Sequence, residues 1–446
     1  MLNFEDLNLN KPLLNALNDL AYIHPTPIQE KSFSVIMSGK DVVGIAQTGT
    51  GKTFAYLLPI LRQHKYSEDK NPTVLIIVPT RELVSQVVAE IEKLTVYMSI
   101  RVAGIYGGIN INPQKKTVLA GLDILVSTPG RLVDLAMLGI LRLKSVKHFI
   151  IDEVDEMMDL GFRAQLNTIL DLLPSKVQNI FFSATMGENV QVLIETFTTN
   201  AQKIEIAAHG TPIDKIKQFA YDGPNYYTKV SLLENLLTDK KEFSKVMIFV
   251  GNIKLADRLF AQLSKVFEEE LSLIHSGKSQ VVRFATLENF HKGMNRILIA
   301  TDIAARGLDI LEVSHVINFD TPKEAGDYIH RIGRTGRAGR AGTAITFFNE
   351  VESPYLESIE ALMKLSVTRK RIPKEVPISS IFTEDELPQV IQKNHNKNAK
   401  NKDTRPVVHE KKAKNKKENL GGPRKRNPNK TKPRNRAVER NRARKK

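Results

Sequence analysis

Residues 46–53 read Ala46-Gln47-Thr48-Gly49-Thr50-Gly51-Lys52-Thr53 and follow directly on the apolar run Asp41-Val42-Val43-Gly44-Ile45. A buried strand that ends in a glycine-rich turn and opens into a helix, here Thr53-Phe54-Ala55-Tyr56-Leu57-Leu58, makes a phosphate cradle. The backbone N–H groups of the turn and the positive end of the helix both face the anion. The Lys52 ammonium can reach the outer phosphates, and the Thr53 hydroxyl can ligate Mg²⁺. Ala46 stands where the G-x-x-x-x-G-K-[ST] pattern usually has its leading glycine. A ligand-free glycine-rich turn is the competing reading. The strand before the turn and the helix after it favour binding of a nucleoside triphosphate.

Outward from this turn, short apolar runs recur between amphipathic segments, the pattern of a parallel sheet covered on both faces by helices. The first half has Val42–Ile45, Val74–Val78, Ile124–Val126, Phe149–Ile151 and Ile180–Phe182. The second has Val246–Val250, Leu271–Ile274, Ile297–Ala300, Val316–Phe319 and Ala344–Phe347. The small, proline-bearing stretch Ala207-Ala208-His209-Gly210-Thr211-Pro212 reads as a hinge between them. The expected organisation is an α/β domain over 1–208, a linker at 209–212, a second α/β domain over 213–365, an extension over 366–392 and a tail over 393–446. Nearly every run ends in a polar cluster, and open parallel sheets bind ligands beyond the carboxyl ends of their strands. The two sheets are therefore expected to face each other across a shared cleft.

Composition sets further limits. The 446 residues exceed what one core supports, and 41% apolar content suffices for globular folding. No apolar stretch approaches the roughly 20 residues of a membrane span, and Met1-Leu2-Asn3-Phe4-Glu5-Asp6 has no signal-peptide pattern. The chain lacks cysteine, which excludes disulfides and thiolate metal sites and fits a reducing cytoplasmic setting. The net charge of +16 is concentrated: residues 393–446 hold 22 Lys and Arg against 4 Asp and Glu, a net of +18, leaving −2 on residues 1–392. With ten asparagines and few large apolar side chains, the tail is expected to be disordered. Nucleic-acid binding through counterion release is its favoured reading, beside solubility or localisation.

Two constellations complete the phosphate cradle. Asp152-Glu153 follows the run Phe149–Ile151; Asp152 can hold Mg²⁺ through water opposite Thr53, and Glu153 can orient and deprotonate an attacking water. Acidic capping of the next helix is the alternative. The stretch His330-Arg331-Ile332-Gly333-Arg334-Thr335-Gly336-Arg337 spaces Arg334 and Arg337 three apart, on one face if helical. Arginines so placed can stabilise a phosphoryl-transfer transition state, or touch nucleic-acid phosphates.

From Phe4 to about residue 348 the chain resembles the DEAD-box RNA helicases of helicase superfamily 2, and its compactness resembles the bacterial RhlE-like branch. Asp152-Glu153-Val154-Asp155 stands where the family has Asp-Glu-Ala-Asp, and Ala46 is the residue the superfamily usually carries there. The resemblance implies two tandem RecA-like domains, ATP with Mg²⁺ bound between them, and RNA as partner. It implies that Phe4, Tyr22 and Gln29 select ATP, with Gly307 and Asp309 on the far side of the nucleotide and Asp309 at the ribose. A Gln amide can pair with the adenine edge. Asp155, Ser183, Thr185 and His330 would couple the domains. RNA contacts would map onto Pro79, Thr80, Arg81, Gly107, Gly108, Thr128 and Arg131, and onto Gln280, Arg283 and Thr301 across the cleft. The family's settings imply ribosomal precursor particles, RNA-decay complexes or cold adaptation. A DNA-stimulated translocase and a tail-driven RNA-annealing protein are the alternatives.

Overall fold

In the computed structural model the described residues are 2–46, 49–66, 68–198, 200–206, 216–305, 313–336 and 342–386. Gln47, Thr48, the 209–212 linker, Gly307, Asp309, Arg337 and the 393–446 tail lie outside them.

Fourteen strands, joined mainly through helices, form two seven-stranded sheets in which every pairing is parallel. The first sheet contains β1 (Val42–Ile45), β2 (Val74–Ile77), β3 (Val102–Ile105), β4 (Ile124–Ser127), β5 (His148–Ile151), β6 (Gln178–Ser183) and β7 (Gln202–Glu205). The second contains β8 (Ile216–Asp222), β9 (Val246–Val250), β10 (Leu271–Ile274), β11 (Ile297–Thr301), β12 (His315–Asn318), β13 (Gly342–Phe348) and β14 (Thr368–Lys370). Strand orders are β3-β4-β2-β5-β6-β1-β7 and β10-β11-β9-β12-β13-β8-β14. Strands β1, β2, β4, β6, β9, β11 and β12 are buried along their full length because helices cover both faces. Their continuous apolar runs follow directly from that double cover.

The sequence pattern does not give β3, β7, β8 or β14, and the sheet explains why. Three are edge strands and β8 lies one place from an edge. Gln202-Lys203-Ile204-Glu205 buries one residue of four, and Ile216–Asp222 largely alternates between buried and more exposed positions. Neither can read as a continuous apolar run. Thr368–Lys370 pairs with β8, so the second sheet draws a strand from the segment assigned to the extension.

Each sheet sends its functional segments to the carboxyl ends of the strands. After β1 the turn residues Gly49 and Gly51 take φ of +80° and +89°, and the helix 52–63 begins at Lys52. Nine of that helix's twelve residues are buried. The helix therefore holds its first turn, and Lys52 with it, against the first sheet's core.

Candidate functional site

Lys52 is almost fully buried, and its ammonium lies 2.6 Å from a Glu153 carboxylate oxygen. Burial opposes the lysine's charge, but Glu153, Asp152 and Asp155 outweigh it and raise the pKa. Burial dominates at Glu153 as well; reinforced by Asp152, Glu156 and Asp155 and opposed by Lys52, it pushes the carboxyl up to about 7. A base with a pKa near working pH is the kind that general-base catalysis favours. Glu153 also holds left-handed backbone at φ +52°, costing about 1–2 kcal/mol for a residue with a Cβ. The sharp turn out of β5 keeps its side chain beside Lys52.

Asp152 is buried too. Its Oδ1 accepts the Glu153 backbone N–H at 3.0 Å, and its Oδ2 accepts the Tyr56 hydroxyl at 3.1 Å. Burial raises its pKa against the pull of Lys52. Asp152, Glu153, Asp155 and Glu156 thus crowd four buried carboxyl groups onto one strand end, with Lys52 and His330 as the near cations. That surplus of oxygen donors, together with the Thr53 hydroxyl at the helix start, suits a hard divalent cation that keeps much of its water. Among the described residues no group of three or more acids or histidines is arranged to hold a metal ion by itself.

The two sheets meet at the next residues. Asp155 Oδ2 accepts the backbone N–H groups of Ala184 and Thr185 at 3.1 and 2.8 Å and the Thr185 hydroxyl at 2.9 Å. Ser183 Oγ accepts the Asp155 N–H at 3.3 Å and donates to the Thr185 carbonyl. From the second sheet, His330 places Nδ1 3.2 Å from Glu156 Oε1 and Nε2 3.7 Å from Asp155 Oδ2. Burial would lower the imidazole's pKa, but its hydrogen bond to Glu156 and the charges of Asp155, Glu156 and Glu153 raise it. Asp155 stays below the usual carboxylate range: burial opposes this, and His330, Lys52 and the Thr185 hydrogen bonds outweigh it. Arg334 is buried and shares a small cleft with His330, Arg331, Asp302 and Asp327.

The nucleotide-reading segment is tied to the phosphate turn. Gln29 accepts the Thr26 N–H at 2.9 Å, capping helix 27–37, and its amide donates to the Gly51 carbonyl at 3.1 Å. A Cβ on Gly51 would stand 2.4 Å from that amide nitrogen. Left-handed backbone adds about 1–2 kcal/mol for any other residue. Gly51→Ala is therefore expected to weaken nucleotide binding at least tenfold, as measured by titration with a fluorescent ATP analogue.

Tyr22 is half exposed and meets the Phe54 ring edge-on at 5.4 Å, leaving a surface on which a base can stack. Phe4, expected to share in nucleotide selection, is buried in the first core, with its N–H bonded to the Ile23 carbonyl. It braces the segment from beneath.

A second meeting of the sheets lies where RNA contacts are expected. Arg81 donates to Gln280 at 3.3 Å, Gln280 donates to Glu82 at 3.0 Å, and Arg283 pairs with Glu82 at 2.8 Å. The Arg81 guanidinium lies on Gly108, where an added Cβ would come within 2.0 Å of it. Three distant segments of sequence thus converge. Pro79 is buried, Thr80 caps helix 81–94 and Thr301 ends β11, while Thr128 begins helix 129–137. Arg131 is buried and donates to Gln114 at 2.9 Å and to the Ile109 carbonyl at 2.9 Å, so it holds the Gly107-Gly108 loop in place. The sequence reading misses Tyr56 and Glu156, which carry no motif signal and acquire partners only on folding.

Comparison with known proteins follows the same division. The DEAD/DEAH box helicase family matches residues 26–193, and the helicase conserved C-terminal domain matches residues 228–339. The chain is 38% identical over 375 residues to the ATP-dependent RNA helicase DeaD of Escherichia coli (strain K12), covering 83% of this chain and 58% of that protein's length. It is 37% identical over 384 residues to the ATP-dependent RNA helicase RhlB of Pseudomonas putida, covering 84% of this chain and 95% of the relative. Among solved structures, Saccharomyces cerevisiae Dbp5 bound to RNA and ADP BeF3 matches with a TM-score of 0.76 and 29% identity, covering 83% of this chain and 96% of the other.

Proposed function

Because this chain belongs to the DEAD-box family of ATP-dependent RNA helicases, we propose that it is an RNA-stimulated ATPase that couples ATP turnover to local unwinding of RNA. The observation that carries the reading is His330. This residue of the second sheet engages Asp155 and Glu156, two and three residues beyond the base Glu153. Asp155 in turn is fastened to Ser183–Thr185.

Lys52 and Glu153 pair at 2.6 Å. Arriving phosphates compete for Lys52 and free Glu153 to accept a proton from water. Thr53 and Asp152 would hold Mg²⁺, which neutralises charge on the outer phosphates. Arg334, and Arg337 beyond the described residues, would face the developing charge. ATP and RNA each bridge both sheets, so each lowers the cost of closure for the other, a reciprocal coupling. One strand held across Arg81, Gly108, Gln280 and Arg283 through its backbone is read without regard to sequence. With a tail of net +18, we place its substrates among large structured RNAs such as ribosomal precursors or transcripts entering decay.

The deciding test is steady-state ATP hydrolysis with no nucleic acid, with single-stranded RNA and with matched DNA at about 100 mM salt, where the Debye length is about 10 Å. Stimulation at least tenfold by RNA and little by DNA is expected. Equal stimulation by both would replace this reading with a general nucleic-acid translocase. No hydrolysis in any condition would leave a tail-driven RNA-binding protein.

Closure should also depend on pH through His330. Its pKa is raised in the closed arrangement, so the contact contributes fully below the ordinary value of about 6.5 and is lost as pH rises through the raised value. Energy transfer between dyes on the two sheets, with ATP and RNA present, should report less closure at alkaline pH. In His330→Gln that dependence should flatten; an unchanged profile would remove His330 from the coupling.

A further inference from the structure

Helix 52–63 delivers more than Lys52 to the site. Tyr56 lies four residues on, one turn along the same face, and is fully buried with its ring tilted on Phe182 of β6 at 5.6 Å. A tyrosine in so apolar a setting must satisfy its hydroxyl, and this one donates to Asp152 Oδ2 at 3.1 Å. The other oxygen of that carboxylate accepts the Glu153 N–H at 3.0 Å. Two donors from different elements thus fix the carboxylate plane. The Tyr56 hydroxyl therefore holds one of the two groups read as metal ligands.

We infer that Tyr56 is a positioning residue for the divalent cation: it fixes Asp152 in the orientation that the hydrated ion of the nucleotide complex requires. The inference rests on the reading of this site as one for a metal–nucleotide complex. Partners one step behind a ligand orient it, and their removal typically costs about 10- to 100-fold in metal affinity. Tyr56→Phe keeps the ring packed on Phe182 and deletes only the hydroxyl.

The test uses the full chain and Mn²⁺ as the probe, titrated by electron paramagnetic resonance in the presence of saturating ADP, with the thermal midpoint of the apo chain measured in parallel. In Tyr56→Phe the Mn²⁺ Kd should rise by about tenfold or more, while ADP affinity without metal stays within twofold. A lower midpoint with an unchanged Mn²⁺ Kd would overturn the inference and leave Tyr56 a packing residue. Absence of ADP-dependent Mn²⁺ binding by the wild-type chain would overturn the underlying site reading as well. Should Tyr56→Phe fold poorly, 3-fluorotyrosine placed at position 56 reads the same contact. Its ¹⁹F resonance should shift when Mg²⁺ joins the ADP complex, and a stationary resonance would overturn the inference.

Discussion

Glu153→Gln should lower the ATP turnover number by about 10²–10⁴, the usual worth of a positioned general base, while nucleotide affinity holds or improves. The two effects part because Glu153, proposed as the base, also occupies Lys52 at 2.6 Å. Glutamine keeps the size and the left-handed backbone position but carries no charge, so phosphates no longer compete with a carboxylate for the ammonium. The sheets should close on ATP and RNA and stay closed, because the hydrolysis that would reopen them is missing. Single-turnover hydrolysis combined with dissociation of labelled RNA separates these effects. Wild-type turnover in the variant would remove Glu153 from the chemistry, and fast RNA release despite slow hydrolysis would break the link between turnover and reopening.

Arg331→Met should cost the fold about 3–5 kcal/mol, the range for breaking a buried ion pair by removing one partner. Arg331 lies within the arginine-rich stretch, yet its side chain is 2% exposed. Its guanidinium makes a two-pronged pair with Asp302 at 2.6 and 2.7 Å and donates to the Asn318 amide oxygen and the Asp320 carbonyl. The same group lies over the Phe249 ring at 5.3 Å. It therefore clamps the carboxyl ends of β9, β11 and β12 together, and methionine would leave Asp302 without its charge partner. At about 2–4 °C per kcal/mol for a unit of 150–250 residues, the second sheet's transition should fall by about 6–20 °C. Arg331→Lys should recover little of this, since an ammonium cannot reproduce the planar fork. A midpoint within 2 °C of wild type would show that the clamp contributes little.

How far the sequence reached differs from element to element. Strands such as Ile76 and Phe249 lie in, buried on both faces, were legible because a doubly covered parallel strand has no polar side to interrupt its run. Gln202–Glu205 and Thr368–Lys370 were not, because an edge strand draws its place from a neighbour's hydrogen-bonding groups rather than from its own apolar character. The phosphate turn was legible because a strained, close-approach backbone admits few residue types. Arg131 and Phe4 show the opposite limit. Their types fit a polynucleotide contact and a base stack, and only packing reveals that both are turned inward.

By itself the sequence determined two parallel-sheet halves, a phosphate turn beginning a helix, and acids placed after a buried strand. These follow from local backbone geometry and hydrophobic periodicity, which act over a few residues. Tertiary structure decided which charges oppose one another: Lys52 on Glu153 across 101 residues, Glu82 between Gln280 and Arg283, and His330 against Glu156 across 174. It also decided that a tyrosine one turn along the phosphate helix meets Asp152. Pairings of this kind depend on where whole elements come to rest. Burial removes the water that would otherwise screen the charges, so their strength, like their partners, is set only when the sheets assemble.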